Sequence, residues 1–434
     1  MGQTGVAPAR QAAYDLLRRI EREGEHSDDL LHSEAIAELT PRDRDLVTEI
    51  VYGTLRWRAW LDYILRGAIA GRWARVGIDC KILLRLSLYQ MSRMDRVPDH
   101  AITHEAVNLA KEHLKSRAAS GFVNAVLRGL GRRRPWTAPD FWRDCPPWIR
   151  VSLPRWLWDR WCERYGTDRT CEYALALNRP SRSAMRLSEK IAPGVIPQGW
   201  VPSDLVPNAY IPGSGADPLL PKAHPLMDEA SQLIPHLFGP LGGATIWDAC
   251  AAPGGKTVIL RDQGGVSGWV VSSDLRYARA RKMKELLPSS GNRRCSLVVA
   301  DAGFAPPFPA CFDAVLADVP CSGLGTLRRN PEIKWRFQPS RLAELSSRQG
   351  MILQSVAGAV RKGGRLLYST CSTEPEENEG IIRDFLRSNP GFALATPDFP
   401  HGIERWLDAF GMFRSFPATR VWDGFFAALM VRNT

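Results

Sequence analysis

Nowhere in this chain do two cysteines stand as a C-x-x-C pair, and no cysteine–histidine cluster has zinc-ligand spacing. The nine cysteines are scattered through 434 residues, which argues against a disulfide framework and for reduced thiols; no metal is expected. Long hydrophobic runs are missing as well: none approaches the roughly 18 apolar residues of a membrane span. The opening stretch Met1 to Val6 has no apolar signal core, and Val6 stands where myristoylation requires Ser or Thr. Internal repeats and low-complexity tracts are absent too. What remains is a cytoplasmic globular protein, read as a monomer without a membrane partner. Acidic residues are outnumbered, 46 Asp and Glu against 57 Lys and Arg, giving a net charge of +11. That excess favours a polyanion, with nucleic acid as the leading partner.

The chain is long enough for two or three domains, and its 44% hydrophobic residues can supply a core for each. Residues 8 to about 135 carry a helical pattern, opening with Ala13, Leu16, Leu17 and Ile20 on one face. Thr40-Pro41 has the chemistry of a helix start, with Asp43 and Asp45 in the first turn. Further helices are expected over 81–91, 104–114 and 121–130. Residues 135–165 hold Trp136, Trp142, Trp148, Trp156, Trp158 and Trp161 among prolines, the composition of a packed domain junction. A helix is expected from Thr167 to Leu177 and a strand near Ser183 to Leu187, followed by Pro- and Gly-rich chain to about 225. These boundaries predict an all-α domain over 1–140, a small α+β domain with linker over 141–221, and an α/β domain over 222–434.

In the last of these, short apolar runs end repeatedly in an acid: Asp248 after Ile246-Trp247, Asp274 after Trp269-Val270-Val271, Asp301 after Leu297-Val298-Val299, and Asp318 after Val315-Leu316. Runs of this kind read as parallel strands buried on both faces, and ligands gather at the carboxyl ends of such strands. The turn Ala249-Cys250-Ala251-Ala252-Pro253-Gly254-Gly255-Lys256-Thr257 ends like a P-loop, but Cys250 stands where that motif requires its first glycine. Asp274 lies at the distance from the turn that suits a pair of ribose hydroxyls. Two cysteines, Cys321 in Asp-Val-Pro-Cys and Cys371 in Ser-Thr-Cys-Ser, each follow a predicted strand. Thr373-Glu374-Pro375-Glu376 has the form of a capping box, predicting a helix through Ile381, Ile382 and Phe385.

Three stretches together, Asp-Ala-Cys-Ala-Ala-Pro-Gly-Gly-Lys-Thr (248–257), Asp-Val-Pro-Cys-Ser-Gly-Leu-Gly-Thr-Leu-Arg-Arg-Asn-Pro-Glu-Ile-Lys-Trp (318–335) and Tyr-Ser-Thr-Cys-Ser (368–372), resemble the Sun/RsmB family of RNA cytosine-5 methyltransferases. Phe122 to Arg128 and Tyr52 to Arg56 resemble the NusB-like domain that precedes the catalytic part in that family, and 141–221 its RNA-recognition-like insert. The resemblance implies a doubly wound, Rossmann-like methyltransferase sheet, S-adenosylmethionine as donor, and a cytosine in RNA, ribosomal RNA of the small subunit, as acceptor. It implies a donor site of Ala251, Ala252, Pro253, Gly254, Gly255, Lys256, Asp274, Asp301 and Asp318.

Carbon 5 of cytosine is a poor nucleophile, so its methylation calls for a thiolate adding at carbon 6. Two cysteines suit two steps, addition and release. Spacing alone leaves their order open, since DNA cytosine-5 methyltransferases use the Pro-Cys residue as nucleophile; the resemblance gives attack to Cys371 and release to Cys321. Asp318 is expected at the N3 edge of the base and Lys256 beside it or beside the donor. A helix starting just after Cys371 would favour its thiolate. Arg328, Arg329, Lys334 and Trp335 are expected to hold the RNA strand, joined by Arg128 and Arg132 at the end of the helical domain. Two competing classes are a non-catalytic NusB-type RNA-binding scaffold, which leaves the donor motif and cysteines unexplained, and a DNA cytosine-5 methyltransferase, which wants a larger insert after its catalytic motifs.

Overall fold

The computed structural model describes residues 7–69, 73–95, 97–187, 196, 198–214, 226–286, 294–304, 308–399, 402–416 and 422–434. The chain forms two compact units, Met1–Pro180 with Leu327–Arg336, and Ser181–Thr326 with Phe337–Thr434. The N-terminal residues Met1 to Val6 and most of the Pro- and Gly-rich stretch before 226 lie outside the described residues.

The first unit is helical. Thr40 accepts a hydrogen bond from the Asp43 amide at 3.2 Å and so caps the helix Pro41–Arg56, with proline at the first helical position. The helix Ile78–Arg93 is buried from Cys80 to Met91, so it runs through the core rather than along the surface. Two of its buried polar residues are paired: Arg85 meets Asp62 at 2.7 Å and Glu21 at 2.9 Å, and Gln90 accepts from Arg10 at 2.7 Å. Gly53 makes its close approach to the helix Pro41–Arg56 possible, because a Cβ there would stand 1.9 Å from the Tyr89 ring. The tryptophans pack. Trp142 stacks on Trp60 with centroids 5.2 Å apart, and Trp158 and Trp161 are buried.

The second unit holds two sheets. Strands β1 Ala184–Arg186, β2 Trp200–Pro202, β3 Ala209–Pro212 and β4 Leu226–Met227 form a small antiparallel sheet in the order β2-β3-β1-β4. The larger sheet is built from β5 Thr245–Asp248, β6 Trp269–Asp274, β7 Cys295–Val299, β8 Phe312–Asp318, β9 Val360–Thr370, β10 Phe392–Leu394, β11 Phe413–Arg414 and β12 Phe426–Arg432. Its order is β10-β12-β9-β8-β5-β6-β7, with β11 paired to β12. Strands β5 to β9 are mutually parallel, and β12 runs antiparallel to β9. From β5 the chain winds outward through β6 and β7, then returns to the other side of β5 as β8. The strand order therefore reverses between β5 and β8, the place where such sheets take ligands.

The doubly wound sheet follows expectation, and the two compact units part after Pro180, with Leu327–Arg336 returned to the first. The helices Arg155–Tyr165 and Thr167–Leu177 belong with the first unit, and the small sheet belongs with the second. The reason is packing: Leu157, Trp161, Tyr173 and Leu177 bury their apolar faces among helices, while Leu205, Val206 and Ala209 join the core cluster of Leu233, Ile246 and Leu316.

Candidate active site

The carboxyl ends of β5, β8 and β9 bring four reactive side chains together. In the parallel register of β8 and β9, Asp318 lies opposite Ser369. Cys321 and Cys371 come just after these two residues, and their sulfurs stand 3.2 Å apart. From the turn after β5, the Lys256 ammonium reaches Asp318 Oδ2 at 2.6 Å, and the Ser369 hydroxyl donates to Asp318 Oδ1 at 2.6 Å. Sequence reasoning brought Lys256, Asp318, Cys321 and Cys371 to one place; Ser369 carried no signal of its own.

Electrostatics bear on the Cys321 thiol. The Cys371 sulfur beside it, with burial and the nearby Glu377 carboxylate, holds the Cys321 thiol well above its ordinary pKa. Burial opposes the Lys256 ammonium, but Asp318 outweighs it and the pKa stays above the usual lysine value.

Behind Cys371 the backbone is tightly layered. The Gly325 amide donates to the Cys371 carbonyl at 2.9 Å, and the Gly424 amide donates to the Gly325 carbonyl at 2.8 Å. A Cβ on Gly325 would come within 1.9 Å of the Gly424 oxygen.

The expected capping box is absent, which corrects the helix-terminus argument for Cys371. The Thr373 hydroxyl turns to the Glu374 side chain, a single 3-10 turn spans Pro375–Glu377, and the helix begins only at Glu379. In place of a helix start, the chain after Cys371 forms a knot of buried polar groups. Asn378 accepts from the Thr370 hydroxyl at 2.6 Å and donates to the Ser372 carbonyl at 2.9 Å. Glu377, fully buried, accepts from Ser322, Ser372 and Gln349. Sequence reasoning missed this role, because a run of Glu after a Thr looks the same whether it caps a helix or folds inward.

Around the glycine turn, Ala251, Gly254 and Gly255 are buried and Pro253 is exposed, while Ala252 is half-buried. Gly254 has φ 108°, a left-handed conformation that favours glycine. Gly255 lies against Met227, whose sulfur would be 2.4 Å from an added Cβ. Asp248, at the end of β5, is fully buried; burial pushes its carboxyl up to about 7 despite the Thr257 hydroxyl at 2.7 Å, and its Oδ1 has no hydrogen-bond partner among the described residues. Asp274 and Asp301 each cap the next turn with one oxygen, through the amides of Arg276 and Gly303 at 2.9 Å. Among the described residues their other oxygens meet arginines alone, Arg279 at 3.9 Å and Arg348 at 4.0 Å, which leaves acceptor capacity for a ligand. A glycine turn, two strand-end carboxylates with spare acceptors and an orphaned buried oxygen fit a hydroxyl- and amine-bearing molecule such as S-adenosylmethionine.

The expected RNA track over 328–335 is corrected at Arg328 and Lys334, which are buried. The segment Leu327–Arg336 is a strap packed within the helical unit. Arg328 and Lys334 are each 2% exposed. The Lys334 ammonium donates to the Arg56 and Ser152 carbonyls at 2.8 Å and to Asn178 Oδ1 at 3.2 Å, and burial holds its pKa well below the usual lysine value. Trp335 Nε1 donates to the Leu55 carbonyl at 2.6 Å, Arg56 donates to the Arg328 carbonyl at 2.9 Å, and Glu332 accepts from Ser27. Arg329 is half-buried. Lys334 and Trp335 thus donate to backbone carbonyls of the same unit. Arg128 and Arg132, by contrast, are exposed on the helix Arg117–Arg133, and Arg134 pairs with Asp99 at 2.8 Å.

Among the described residues there is no group of three or more His, Cys, Asp or Glu able to hold a metal ion, and no helix is long and apolar enough to cross a membrane.

Comparison with known proteins agrees with the two units. Residues 236–431 match the family of 16S rRNA methyltransferases RsmB/F, and residues 7–132 match the NusB family. The chain is 33% identical to the probable ribosomal RNA small subunit methyltransferase B of Bacillus subtilis, covering 88% of this chain and 89% of that one. It is 30% identical to the ribosomal RNA small subunit methyltransferase B of Pseudomonas putida, over 81% and 82% of the two chains. Among solved structures, PH0851 superposes with a TM-score of 0.78 at 23% identity, over 98% of this chain and 99% of that one. A methyltransferase homologue from Pyrococcus horikoshii gives 0.54 at 22% identity, over 66% and 97%. A site of two facing thiols and a Lys–Asp pair at the reversal of a parallel sheet, behind a NusB-like domain and with relatives along nearly the whole chain, places this protein in the RsmB/F family of S-adenosylmethionine-dependent methyltransferases.

Proposed function

We propose that the protein methylates carbon 5 of a cytosine in small-subunit ribosomal RNA through a covalent adduct on Cys371. The observation that carries this reading is the pair of sulfurs 3.2 Å apart beside the Lys256–Asp318 pair. The names of the curated relatives, both small-subunit rRNA methyltransferases, supply the class of RNA.

Two thiols in contact hold a single thiolate between them, and in this reading it is Cys371. The Cys371 thiolate adds to carbon 6 of a cytosine swung out of its stack. Asp318 accepts a hydrogen bond from the N3 edge as N3 takes up a proton handed over from the Lys256 ammonium through that carboxylate, and N3 returns it by the same route when the ring double bond reforms. The glycine turn 251–256 with Asp274 and Asp301 would hold S-adenosylmethionine, which would supply the methyl group for carbon 5. Once the Cys371 sulfur is bonded to carbon it no longer carries charge, so the chief cause of the high Cys321 pKa is gone. Cys321 then loses its proton to water, the one proton the overall reaction releases, and, as the thiolate, removes the hydrogen from carbon 5. The electrons of that C–H bond reform the ring double bond and expel Cys371 as a thiolate, which restores the starting protonation of the pair.

The test is to incubate the protein with S-adenosylmethionine and small-subunit ribosomal RNA and to analyse the digested nucleosides by mass spectrometry. 5-Methylcytidine that disappears with Cys371→Ala supports the reading; a different methylated nucleoside overturns it.

A further inference from the structure

We propose that Glu377 is a positioning residue that sets the spacing of the two sulfurs, an inference that rests on the thiol chemistry proposed above. The cysteines sit on two separate loops: Pro320 to Gly323 after β8, and Cys371 to Thr373 after β9. In the parallel register the strands end side by side at Asp318 and Ser369; beyond them the backbones meet through the Val319 amide on the Ser369 carbonyl at 3.0 Å and the Gly325 amide on the Cys371 carbonyl at 2.9 Å, and neither contact holds the residues that follow the cysteines. Glu377 bridges the loops at the residues immediately following the cysteines. Its Oε1 accepts from the Ser322 backbone amide at 2.8 Å and from the Gln349 side-chain amide at 2.9 Å. Its Oε2 accepts from the hydroxyls of both Ser322 and Ser372.

One carboxylate thus takes a hydrogen bond from each cysteine loop on the same oxygen, and the two serine oxygens are 3.1 Å apart. The clamp is anchored from behind. Gln349 also donates to the Pro320 carbonyl at 3.0 Å, and the Tyr368 hydroxyl donates to the Glu377 carbonyl at 2.6 Å. Glu377 and Gln349 are fully buried, and Ser322 and Ser372 nearly so. Water is therefore not at hand to replace a missing acceptor, and charge-assisted bonds of this kind are the stronger ones. A buried carboxylate with four donors is costly to place unless every donor is held. Its geometry is accordingly stiff, and what it stiffens is the gap between the loops carrying Cys321 and Cys371.

The experiment reads that gap without using methylation. Diamide takes up two hydrogens as two thiols join in a disulfide, and the rate of forming the Cys321–Cys371 bond is measured by peptide mapping under non-reducing conditions. The wild-type protein should form this bond fast. Glu377→Ala should slow it about tenfold or more, since misplacing reacting atoms by an ångström costs rates of that order and beyond. Ser372→Ala, which removes one arm of the clamp, should fall between, and Glu377→Gln, which keeps one acceptor oxygen, should restore part of the rate. S-adenosylmethionine affinity, measured by calorimetry, should stay at the wild-type value and shows that each variant is folded. If Glu377→Ala does not fold, the comparison of Ser372→Ala and Glu377→Gln with wild type decides. A disulfide rate within about twofold of wild type in the folded variants overturns the proposal. Slowed disulfide formation with methylation intact in Cys371→Ala supports the clamp and overturns the thiol mechanism instead, so the two failures are distinct.

Discussion

Glu332 offers a sharp test of the buried strap. It is 1% exposed and accepts two hydrogen bonds from Ser27, from the amide at 3.1 Å and the hydroxyl at 2.7 Å. Bonds to a charged acceptor are worth about 1.5–3 kcal/mol each, so the pair totals about 3–6 kcal/mol. Burying the carboxylate offsets part of this, which leaves about 2–4 kcal/mol for Glu332→Ala. In a unit of this size each kcal/mol moves the melting temperature by about 2–4 °C, so circular dichroism should record a fall of about 4–16 °C in the helical transition. Ser27→Ala should cost less, because its backbone amide remains, and the double variant should be far from additive. The pH dependence has a definite sign. Burial works to raise the Glu332 pKa, but the His26 imidazole 3.9 Å away and the hydrogen bonds from Ser27 hold it below its ordinary 4.5, so its stabilisation is present above that value and lost as pH falls through the lower folded one. His26, raised from 6.5 by Glu332, adds a part that is present below 6.5 and lost as pH rises through its raised value. The gap between wild type and Glu332→Ala should therefore be widest between about pH 5 and 6.5. Melting temperatures within about 1 °C of wild type for both single variants, or simple additivity, would refute the strap.

The site itself sets three further expectations. Asp274→Ala should weaken S-adenosylmethionine binding, because its spare oxygen would accept from a ribose hydroxyl in a bond worth about 1.5–3 kcal/mol; calorimetry giving an unchanged dissociation constant removes Asp274 from the donor site. Gly325→Ala should abolish methylation and lower stability, because the added methyl meets the Gly424 carbonyl at 1.9 Å and the Cys371 carbonyl at 2.9 Å; wild-type activity would show that the layer behind Cys371 yields easily. RNA affinity should fall steeply with salt, and replacing the exposed Arg132 and Arg133 together by serine should lower the slope by about 1.4 on a single strand. Lys334→Ala should leave that slope unchanged while lowering the melting temperature, and a reduced slope would restore Lys334 to an RNA-binding role.

Much of the fold was legible because local signals and burial agreed. Apolar runs ending in Asp248, Asp274 and Asp318 became parallel strands, Thr167–Leu177 became a helix over the expected residues, and Thr40-Pro41 capped one. The site was legible where strand ends fix it: Lys256, Asp318, Cys321 and Cys371 converge because β5, β8 and β9 are neighbours. The strap was not legible. Arginines and a lysine interleaved with tryptophan describe a phosphate track and a segment bonded to helix carbonyls equally well. Only the tertiary partners, Arg56, Ser152 and Leu55, which lie far off in sequence, tell the two apart. Glu377 failed to stand out for a related reason. Its partners Ser322 and Gln349 belong to other elements, and the nearby Thr373 and Glu376 offered a plausible cap that the chain does not form.

The division of labour between the thiols is the centre of the account, and the Cys321→Ala variant measures it most directly. The protein is mixed with substrate RNA and S-adenosylmethionine and run on a denaturing gel. With Cys321 gone, Cys371 still adds and the methyl is still transferred, but the hydrogen on carbon 5 has no base to take it. A slowly migrating protein–RNA species should therefore accumulate, require S-adenosylmethionine, and vanish when Cys371→Ala is added. A stable adduct in Cys371→Ala, and none in Cys321→Ala, would contradict the account and make Cys321 the nucleophile.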